Sequence, residues 1–316
     1  MQISVLMSVY NESDSDLSDA INSILKQSYS NIEFVIVNDN PNSERVNNLL
    51  SRYSIIDDRI KIYNNPTNLG LQESLIKGIN YCTNKYIARM DADDISLVNR
   101  FKDQINRIKD DKYDVVASGF TYIDEYNRPI DLVVPDAQGE LCEKDLLQSN
   151  PIAHSGVIFN KEKILKLGNY RRILYAEDYD LWLRILSAGG KIFIQKEKNL
   201  LVRSRRNGIS VSNRARQMLS SIYVRKLYFE RKKNKNEIDS FSEKGQQEYI
   251  ESALLEYDEK RIEISFKTLT QVKKYIKQRS YIKAILNIIR VLLNDKVYRQ
   301  HIFFKIRCRI YSMLER

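Results

Sequence analysis

"YIARMDADDIS", residues 86–96, is the stretch that decides the fold. The apolar run that ends at Met90 is typical of a buried strand. Three aspartates follow it directly, namely Asp91, Asp93 and Asp94. Neighbouring carboxylates repel one another and raise each other's pKa. The pattern therefore predicts either a turn that holds a positive group or an exposed turn whose charges are solvated.

Strands and helices alternate on the N-terminal side of this turn. Short apolar segments at residues 3–9, 33–39, 59–65 and 85–90 are separated by helical patterns at residues 16–27, 43–53 and 70–82. This alternation predicts βαβ units and a parallel sheet. Ligands of such sheets lie beyond the carboxyl ends of the strands. Those ends carry Tyr10, Asp39 and the aspartates of the turn.

The pattern changes after Ser96. A helix is predicted at residues 97–109, and strands at residues 113–124, 129–135, 155–160, 191–195 and 199–204. Another helix is predicted at residues 176–189, and helices alone from about Asn213 onward. The predicted fold class is α/β with a mixed central sheet and a C-terminal α-helical extension. The predicted domains are residues 1–212 and 213–316.

The composition excludes several classes of protein. No run of about 18 or more uncharged apolar residues predicts a transmembrane helix, and the N-terminus lacks the basic region of a signal peptide. The cysteines Cys82, Cys142 and Cys308 are widely spaced, which indicates thiols in a reducing compartment. A cytoplasmic location is therefore predicted.

The net charge of +10 is concentrated in the tail. Residues 261–316 hold 14 Lys and Arg against 3 Asp and Glu, so the remainder of the chain is nearly neutral. A nucleic-acid-binding protein is one alternative that a basic chain suggests. It would place basic and aromatic residues around the functional surface, whereas the predicted strand ends are acidic. No nucleic-acid partner is therefore expected.

Five motifs together resemble glycosyltransferase family 2, which are nucleotide-sugar enzymes of the GT-A fold. They are "ISVLMSVYNE" at 3–12, "VIVNDN" at 35–40, "NLG" at 68–70, "ARMDADD" at 88–94 and "EDYDLW" at 177–182. Each motif alone is weak, but their order and spacing make a strong signal over about residues 3–212. The resemblance implies a GT-A fold whose first half is a Rossmann-like nucleotide-binding unit.

The resemblance assigns the acidic turn to a metal. It implies that Asp93 ligates Mg²⁺ or Mn²⁺, and that Asp91 holds the ribose or the water shell of the metal. Carboxylate oxygens suit these hard cations. The alternative role for Asp94 is to cap the helix that is predicted to start near Ser96.

The remaining donor-site residues follow from the same resemblance. Asp39 is expected to hydrogen-bond the base of a UDP-sugar, with Ser8 and Tyr10 framing that base, Tyr10 by stacking. Many relatives have two Asp residues where this chain has Asn38 and Asp39. The other expected donor contacts are Glu12, Asn68 and Arg205. Arg205 stands where relatives often carry His, and it would pair with phosphate oxygens rather than ligate a metal.

The "EDYDLW" motif implies the second chemical role. Inversion at a sugar carbon needs a base that accepts the proton of the attacking hydroxyl group. The resemblance makes Asp178 that base and Glu177 a residue that orients the acceptor, while Asp180 is expected to pair structurally. The alternative is that these acids only favour the helix dipole. His154 and Trp182 are candidate acceptor contacts, although a core position is favoured for Trp182.

The predicted function is transfer of a hexose, most plausibly galactose from UDP-galactose, to a lipid-linked oligosaccharide of a bacterial surface glycan. The apolar residues Phe303, Ile306, Ile310 and Met313 are predicted to share one face of a basic helix, which suits an anionic membrane surface. A helical bundle, including a homo-oligomer, is the alternative for the tail. An inactive scaffold is the alternative for the whole chain.

Overall fold

A computed structural model describes residues 1–130, 137–204, 213–235, 238–256 and 259–314. The chain divides into two compact units. The first comprises Met1–Leu146, Asn150–Arg172 and Asp180–Arg206, and the second comprises Leu147–Ser149, Ile173–Tyr179 and Asn207–Arg316. The domain boundary predicted at residue 212 stays a prediction.

The first unit is built on an eight-stranded sheet with the order β3-β2-β1-β4-β9-β6-β10-β8. A second, three-stranded sheet has the order β5-β11-β7. The strands are β1 Ile3–Val9, β2 Ile32–Asn38, β3 Ile60–Asn64, β4 Tyr86–Asp91, β5 Ile95–Ser96, β6 Val115–Ala117, β7 Phe120–Ile123, β8 Gly139–Leu141, β9 Val157–Asn160, β10 Ile192–Ile194 and β11 Leu200–Arg203. Strands β1 to β4 run parallel, while β9 pairs antiparallel with both β4 and β6. The predicted mixed sheet is therefore present.

Within the described residues, seven α-helices accompany these strands. They are α1 Asp14–Leu25, α2 Glu44–Ile56, α3 Leu71–Tyr81, α4 Arg100–Ile108, α5 Glu143–Gln148, α6 Lys161–Lys166 and α7 Glu177–Ser187, and a 3-10 helix spans His154–Gly156. Helix α1 shows how the sequence encodes them. Ser13 caps its N-terminus by accepting a hydrogen bond from the Asp16 backbone N–H, and the predicted apolar face from Leu17 to Ile24 is buried.

Strand β1 lies at the point where the strand order of the sheet reverses. Its neighbours are β2 on one side and β4 on the other. In register, Ser8 lies opposite Val37 of β2 and opposite Asp91 of β4. The crevice beyond the end of β1 is therefore the switch point at which sheets of this kind bind ligands.

The region after Asp94 differs from the sequence prediction. Residues 95 and 96 form β5 instead of leading into a helix, and α4 begins only at Arg100. The predicted strand at residues 113–124 is two strands in different sheets. Between them lies Gly119, at which a Cβ atom would stand 2.9 Å from the carbonyl oxygen of Glu197. Most of the strand predicted at 129–135 lies outside the described residues.

Arg100 and Gln104, two buried side chains of α4, donate hydrogen bonds to backbone carbonyls of the sheet near the point where β4 and β9 separate. Arg100 Nη2 donates to the carbonyl oxygens of Arg89 (2.7 Å) and Val157 (3.3 Å). Gln104 Nε2 donates to the carbonyl oxygens of Val116 (2.8 Å) and Gly156 (2.7 Å). Burial, and then the charge of Arg89, lower the pKa of Arg100 to about 9. These bonds give buried backbone carbonyls hydrogen-bond partners from side chains.

The second unit contains five helices within the described residues. They are α8 Arg214–Lys233, α9 Glu243–Glu256, α10 Glu259–Lys277, α11 Tyr281–Asn294 and α12 Lys296–Leu314. Their core consists of Ala215, Leu219, Ile250, Ile262, Val291, Val297 and Tyr298. Across the described part of the chain, every helix is too short or too polar to cross a lipid bilayer.

The role of Gln104 gives a stability prediction. Gln104→Leu keeps the side-chain size but removes the hydrogen bonds to the Val116 and Gly156 carbonyls and the bond that Arg100 Nε donates to Gln104 Oε1. We expect the free energy of unfolding to fall by about 2–4 kcal/mol. Urea unfolding followed by the fluorescence of Trp182, the only tryptophan, measures this change.

The matched control is Asn106→Leu, because Asn106 is exposed on the same helix. It should change the free energy of unfolding by less than about 0.5 kcal/mol. Equal urea midpoints for the two variants would contradict the role given to Gln104.

Candidate active site

The carboxyl edge of β1, β2 and β4 brings several predicted donor residues together. Ser8 is the second-last residue of β1 and stands in register with Asp91 at the end of β4. Tyr10 follows β1 directly, and its side chain is exposed. Asp39 follows β2, and its backbone N–H donates to the Val9 carbonyl. An exposed aromatic ring between two acidic strand ends is the main feature of this edge.

Asp39 holds the loop that leads into α3. Its Oδ1 accepts hydrogen bonds from Asn65 Nδ2 and the Leu69 backbone N–H, and its Oδ2 accepts one from the Gly70 backbone N–H, each at 2.8 Å. Gly70 precedes α3 with a φ of 85°, a conformation that favours glycine. Asp39 is thus buried and fixed, and it orders the "NLG" segment at the site.

Asn38 acts as a hydrogen-bond donor at the position where the family resemblance leads us to expect a carboxylate. Its Nδ2 donates to Asn47 Oδ1 (2.7 Å) and to Asn64 Oδ1 (2.9 Å). Its own Oδ1 accepts from the Asn40 backbone N–H at 3.0 Å. An ionised carboxylate cannot donate, so the local amide network uses Asn38 as a donor and leaves Asp39 as the acid of this strand end.

Glu12 and Asn68, which are also predicted at the donor site, accept hydrogen bonds from backbone N–H groups. Glu12 accepts a hydrogen bond from the Tyr10 backbone N–H at 2.9 Å. Asn68 Oδ1 accepts one from the Gly70 backbone N–H at 3.0 Å. Asn40 Nδ2 donates to the Tyr10 carbonyl at 3.0 Å. The backbone that presents the Tyr10 ring is therefore bound on both its N–H and its carbonyl side.

The acidic turn contains carboxylates in two different environments. Asp91 is partly exposed and forms an ion pair with the buried Arg89, and Asp93 is also partly exposed. Asp94 is buried, and it accepts hydrogen bonds from Ser155 Oγ and from the Arg203 backbone N–H. Burial, and then the charges of Asp91 and Asp93, raise the pKa of Asp94 to about 8. The charges of Asp91 and Asp93 therefore act on Asp94 in the direction that the sequence predicted.

Asp94 does not cap a helix, and that alternative was wrong. The residues after it form β5, which pairs antiparallel with β11. Asp94 instead fixes the end of β11 through the Arg203 backbone. Because Asp94 is buried in these contacts, Asp91 and Asp93 are the two acids of the turn that are partly exposed.

Arg203 is a residue whose role the sequence did not reveal. Its buried guanidinium donates to the carbonyl oxygens of Asp93 (2.9 Å) and Asp124 (3.1 Å) and pairs with the Asp16 carboxylate at 3.1 Å. It is thus part of the support of the acidic turn. Arg205, the predicted phosphate contact, lies outside the described residues.

The "EDYDLW" motif begins α7, and its acids lie in the first turn of that helix, as the sequence predicted. Glu177 is buried and Asp178 is half-buried. Asp180 is fully buried and pairs with Arg171 and Arg184, with its Oδ2 accepting from Arg171 Nε at 2.9 Å and from Arg184 Nε at 2.8 Å. The structural pairing expected for Asp180 is therefore observed.

The segment before Asp178 is held by helices of the second unit. Gln246 forms two hydrogen bonds with the Leu174 backbone, both of 3.0 Å. Arg225, which is buried, donates from Nε to Tyr179 Oη at 2.9 Å. A single sequence gives no signal for either contact, because both partners lie far apart in the chain.

The two predicted acceptor residues lie in one aromatic cluster. His154 Nε2 is 2.7 Å from Tyr170 Oη, and its ring packs edge-on against Trp182. Burial, and then the charge of Arg89, lower the pKa of His154 well below its ordinary value. Trp182 is completely buried, which is the core position favoured from the sequence. An acceptor contact by either residue stays a prediction.

The described residues contain no group of three or more His, Cys, Asp or Glu side chains arranged to hold a metal ion. The acidic turn nevertheless fits a cation that is shared with a substrate. Mg²⁺ in particular is commonly bound by one or two carboxylates together with substrate phosphates. Asp91 and Asp93 are two partly exposed carboxylates of this type. Their negative charges, which contribute to the raised pKa of Asp94, have the sign that a cation offsets.

Comparison with known proteins places the chain among sugar transferases. The profile described as "Glycosyl transferase family 2" matches residues 4–167. The amylovoran biosynthesis glycosyltransferase AmsE of Erwinia amylovora is 36% identical over 189 residues, which are 59% of this chain and 70% of that protein. An Escherichia coli protein named UDP-Gal:alpha-D-GlcNAc-diphosphoundecaprenol beta-1,3-galactosyltransferase is 30% identical over 195 residues, 60% of this chain and 69% of that one.

A similar fold occurs in a solved structure. The chain superposes on S. aureus TarS, crystallised in complex with UDP-GlcNAc, with a TM-score of 0.60 and 16% identity. The superposition covers 79% of this chain and 70% of that one. The GT-A fold predicted from the sequence, with its mixed central sheet and C-terminal helical region, is confirmed.

The buried ion pairs of Asp180 give a second prediction. Asp180→Ala leaves Arg184 buried without its carboxylate, and we expect the free energy of unfolding to fall by about 3–5 kcal/mol. Urea unfolding measures the loss. The control is Asp110→Ala, which removes an exposed acid and should have an effect below about 0.5 kcal/mol. A loss of less than about 1 kcal/mol for Asp180→Ala would contradict this role.

Proposed function

The chain belongs to glycosyltransferase family 2, and from this premise we propose that it is an inverting hexosyltransferase of bacterial surface polysaccharide synthesis. Its donor is a UDP-sugar, and its acceptor is a hydroxyl group of a lipid-linked oligosaccharide. The single observation that carries the proposal is the edge at which Tyr10, Asp39 and Asp91 meet beyond three adjacent strands. The name of the Escherichia coli relative supports a lipid-linked acceptor and galactose as the sugar, and the name of AmsE supports a role in polysaccharide synthesis.

The proposed donor binds with its base at Tyr10 and Asp39. The exposed Tyr10 ring offers a face for stacking. Both Asp39 oxygens already accept hydrogen bonds, but a carboxylate has about four acceptor positions, so the base N–H still finds one. Ser8 frames the base, and Glu12 and Asn68 hold the backbone around it. Arg205 pairs with the phosphate oxygens.

Asp91 and Asp93 hold the divalent cation that members of this family often use, either Mg²⁺ or Mn²⁺. When bound, such a cation offsets the negative charge that collects on the diphosphate as it leaves. Asp93 is proposed as the direct ligand, and Asp91, steadied by Arg89, as the contact to the ribose or to the cation's water shell. Asp94 is occupied by Ser155 and Arg203 and holds the turn in place.

Asp178 is proposed as the general base. The acceptor hydroxyl oxygen attacks the anomeric carbon of the donor while its proton passes to the Asp178 carboxylate. The bond between that carbon and the phosphate oxygen breaks, and UDP departs with the bonding electron pair. Attack from the opposite face inverts the anomeric centre. Glu177 orients the acceptor, with His154 and Trp182 as further acceptor contacts.

A lipid-linked acceptor places the proposed reaction at the cytoplasmic face of the cell membrane. We assign catalysis to residues 1–212 and surface contact to the basic helices of residues 213–316. Self-association through the same helices is the alternative use of this region, and the assay below for vesicle binding separates the two.

A thermal-shift screen tests the proposed donor. Binding to the folded state raises the melting temperature by mass action. UDP-galactose with Mn²⁺ should raise it more than UDP-glucose, UDP-N-acetylglucosamine or a GDP-sugar. A larger shift with another UDP-sugar would overturn galactose but keep the reaction class, whereas no shift with any UDP compound would overturn the donor class.

Asp93→Ala tests the metal assignment. We expect the Mn²⁺-dependent part of the UDP shift to disappear and turnover to fall by at least about 10²-fold, since charge stabilisation at the leaving group is lost. The melting temperature without ligand reports whether the fold survives. Asp58→Ala, at an exposed acid, is the control. Unchanged turnover in Asp93→Ala would remove this residue from the site.

Asp178→Asn tests the proposed base, because it preserves size and removes the proton acceptor. Transfer to the acceptor should fall by about 10²–10⁴-fold, while the UDP-sugar thermal shift persists. Activity is measured as UDP released in the presence of acceptor, with Asp110→Asn as the control. A variant with weakened donor binding and unchanged transfer from bound donor would make Asp178 a donor-site residue.

A further inference from the structure

Helix α11 carries an apolar stripe that points away from its own unit. The stripe consists of Ile282, Ile285, Leu286, Ile289 and Leu293, whose exposed fractions are 76%, 55%, 60%, 45% and 72%. At about 100° per residue, these positions fall within roughly 100° of one another around the helix. A stripe of this width is normally the face that a helix buries.

The opposite face of the same helix is the one that packs. Ala284 and Val291 are each 3% exposed, and Val291 belongs to the core of the second unit. The helix therefore already has a partner inside the unit, and that partner covers its smaller and less apolar side. Five large aliphatic side chains in one exposed stripe indicate an interaction surface rather than scattered surface residues.

The stretch of sequence that contains the stripe carries basic charges and no acidic ones. No acidic residue occurs in the sequence between Glu263 and Asp295. The exposed basic residues of this stretch are Lys267, Lys274, Lys277, Arg279, Lys283 and Arg290. Lys283 and Arg290 lie on α11 itself, along one side of the stripe. An apolar stripe with a positive border is complementary to a surface that is apolar inside and anionic outside.

We propose that the α11 stripe inserts into the headgroup and acyl boundary of an anionic lipid bilayer, with α11 lying parallel to the bilayer plane. This inference deepens the proposed function and takes its biological use from it, because the acceptor proposed above is lipid-linked. The helix has 14 residues, about 21 Å, which is too short to span a bilayer. Amphipathic helices with a basic border bind membranes in this way.

The charge distribution favours lipid over a second copy of the chain. Two α11 stripes packed together would bring two basic borders into proximity, and the region between Glu263 and Asp295 supplies no acids to pair with them. Like charges at such an interface weaken it. Anionic lipid headgroups supply the missing negative charge. Phe303 and Ile306 on α12 are exposed as well, so the second unit offers lipid more than one apolar contact.

Vesicle co-sedimentation tests the inference without donor or acceptor. The full chain should bind vesicles of phosphatidylglycerol and phosphatidylcholine, and bind weakly to phosphatidylcholine alone. The triple variant Ile282→Ser, Leu286→Ser, Leu293→Ser keeps the charge and should lose roughly tenfold in partition for each side chain that inserts. The matched control is Ile55→Ser, Ile56→Ser on α2, whose side chains are 85% and 77% exposed, and it should bind as the unchanged chain does.

The basic residues Lys283 and Arg290, which border the stripe, are tested separately. Lys283→Gln, Arg290→Gln should weaken binding to the anionic vesicles and reduce its dependence on salt, because exposed charges are screened by ions. Leu286→Trp provides a direct probe of insertion. The native Trp182 is buried and gives a constant background, so a blue shift on adding anionic vesicles reports the new indole entering lipid. Ile55→Trp should show no shift.

Three results would overturn the inference. They are absence of vesicle binding by the full chain, equal binding by the triple variant, and an unshifted Leu286→Trp spectrum. A full chain that is dimeric in solution and becomes monomeric in the triple variant, without binding vesicles, would assign the stripe to a second copy. Because these measurements involve no sugar transfer, a failure here leaves the donor and base assignments intact, and a failed transfer assay leaves vesicle binding to be judged by itself.

Discussion

The fold of the first unit depends on holding three carboxylates within four residues at the end of β4. Asp94 is the one taken into the interior, where it is bound by Ser155 and by the Arg203 backbone. Its partner Arg203 also binds the Asp93 carbonyl, so β11 is attached to the acidic turn at two points. The position of the small sheet therefore follows from the need to satisfy a buried acid.

Buried positive charge lies behind the turn and balances it. Arg89 pairs with Asp91, while Arg100 donates hydrogen bonds to neutral groups, including the Arg89 carbonyl and Gln104. A buried charge is costly unless it is paired or well hydrogen-bonded. The buried arginines lie at the strand end where the proposed donor binds, next to a turn in which Asp91 and Asp93 are partly exposed.

Periodicity predicted the first half of the fold well, because β1 to β4 and the helices between them are local patterns. Periodicity failed where polar contacts between residues far apart in the chain determine the secondary structure. The bond from the Arg203 backbone to Asp94 joins residues 109 positions apart, and it turned a predicted helix start into β5. Likewise, Asp39 was expected to face the base, and nothing local indicated that it also holds Gly70. A motif identifies an acid, but only the fold shows which of its oxygens are already bound.

The second unit shows the complementary limit of sequence reasoning. Its helices were recognised as amphipathic, and amphipathicity predicts that the apolar face is covered by something. Only the exposure of each side chain in the structure shows which face of a helix is covered. In α11 the covered residues are Ala284 and Val291, so the wider aliphatic side is turned outward. Burying that side is favourable wherever water can be excluded from it, and a helix that packs by its small residues leaves its largest ones for a partner that the chain itself does not provide.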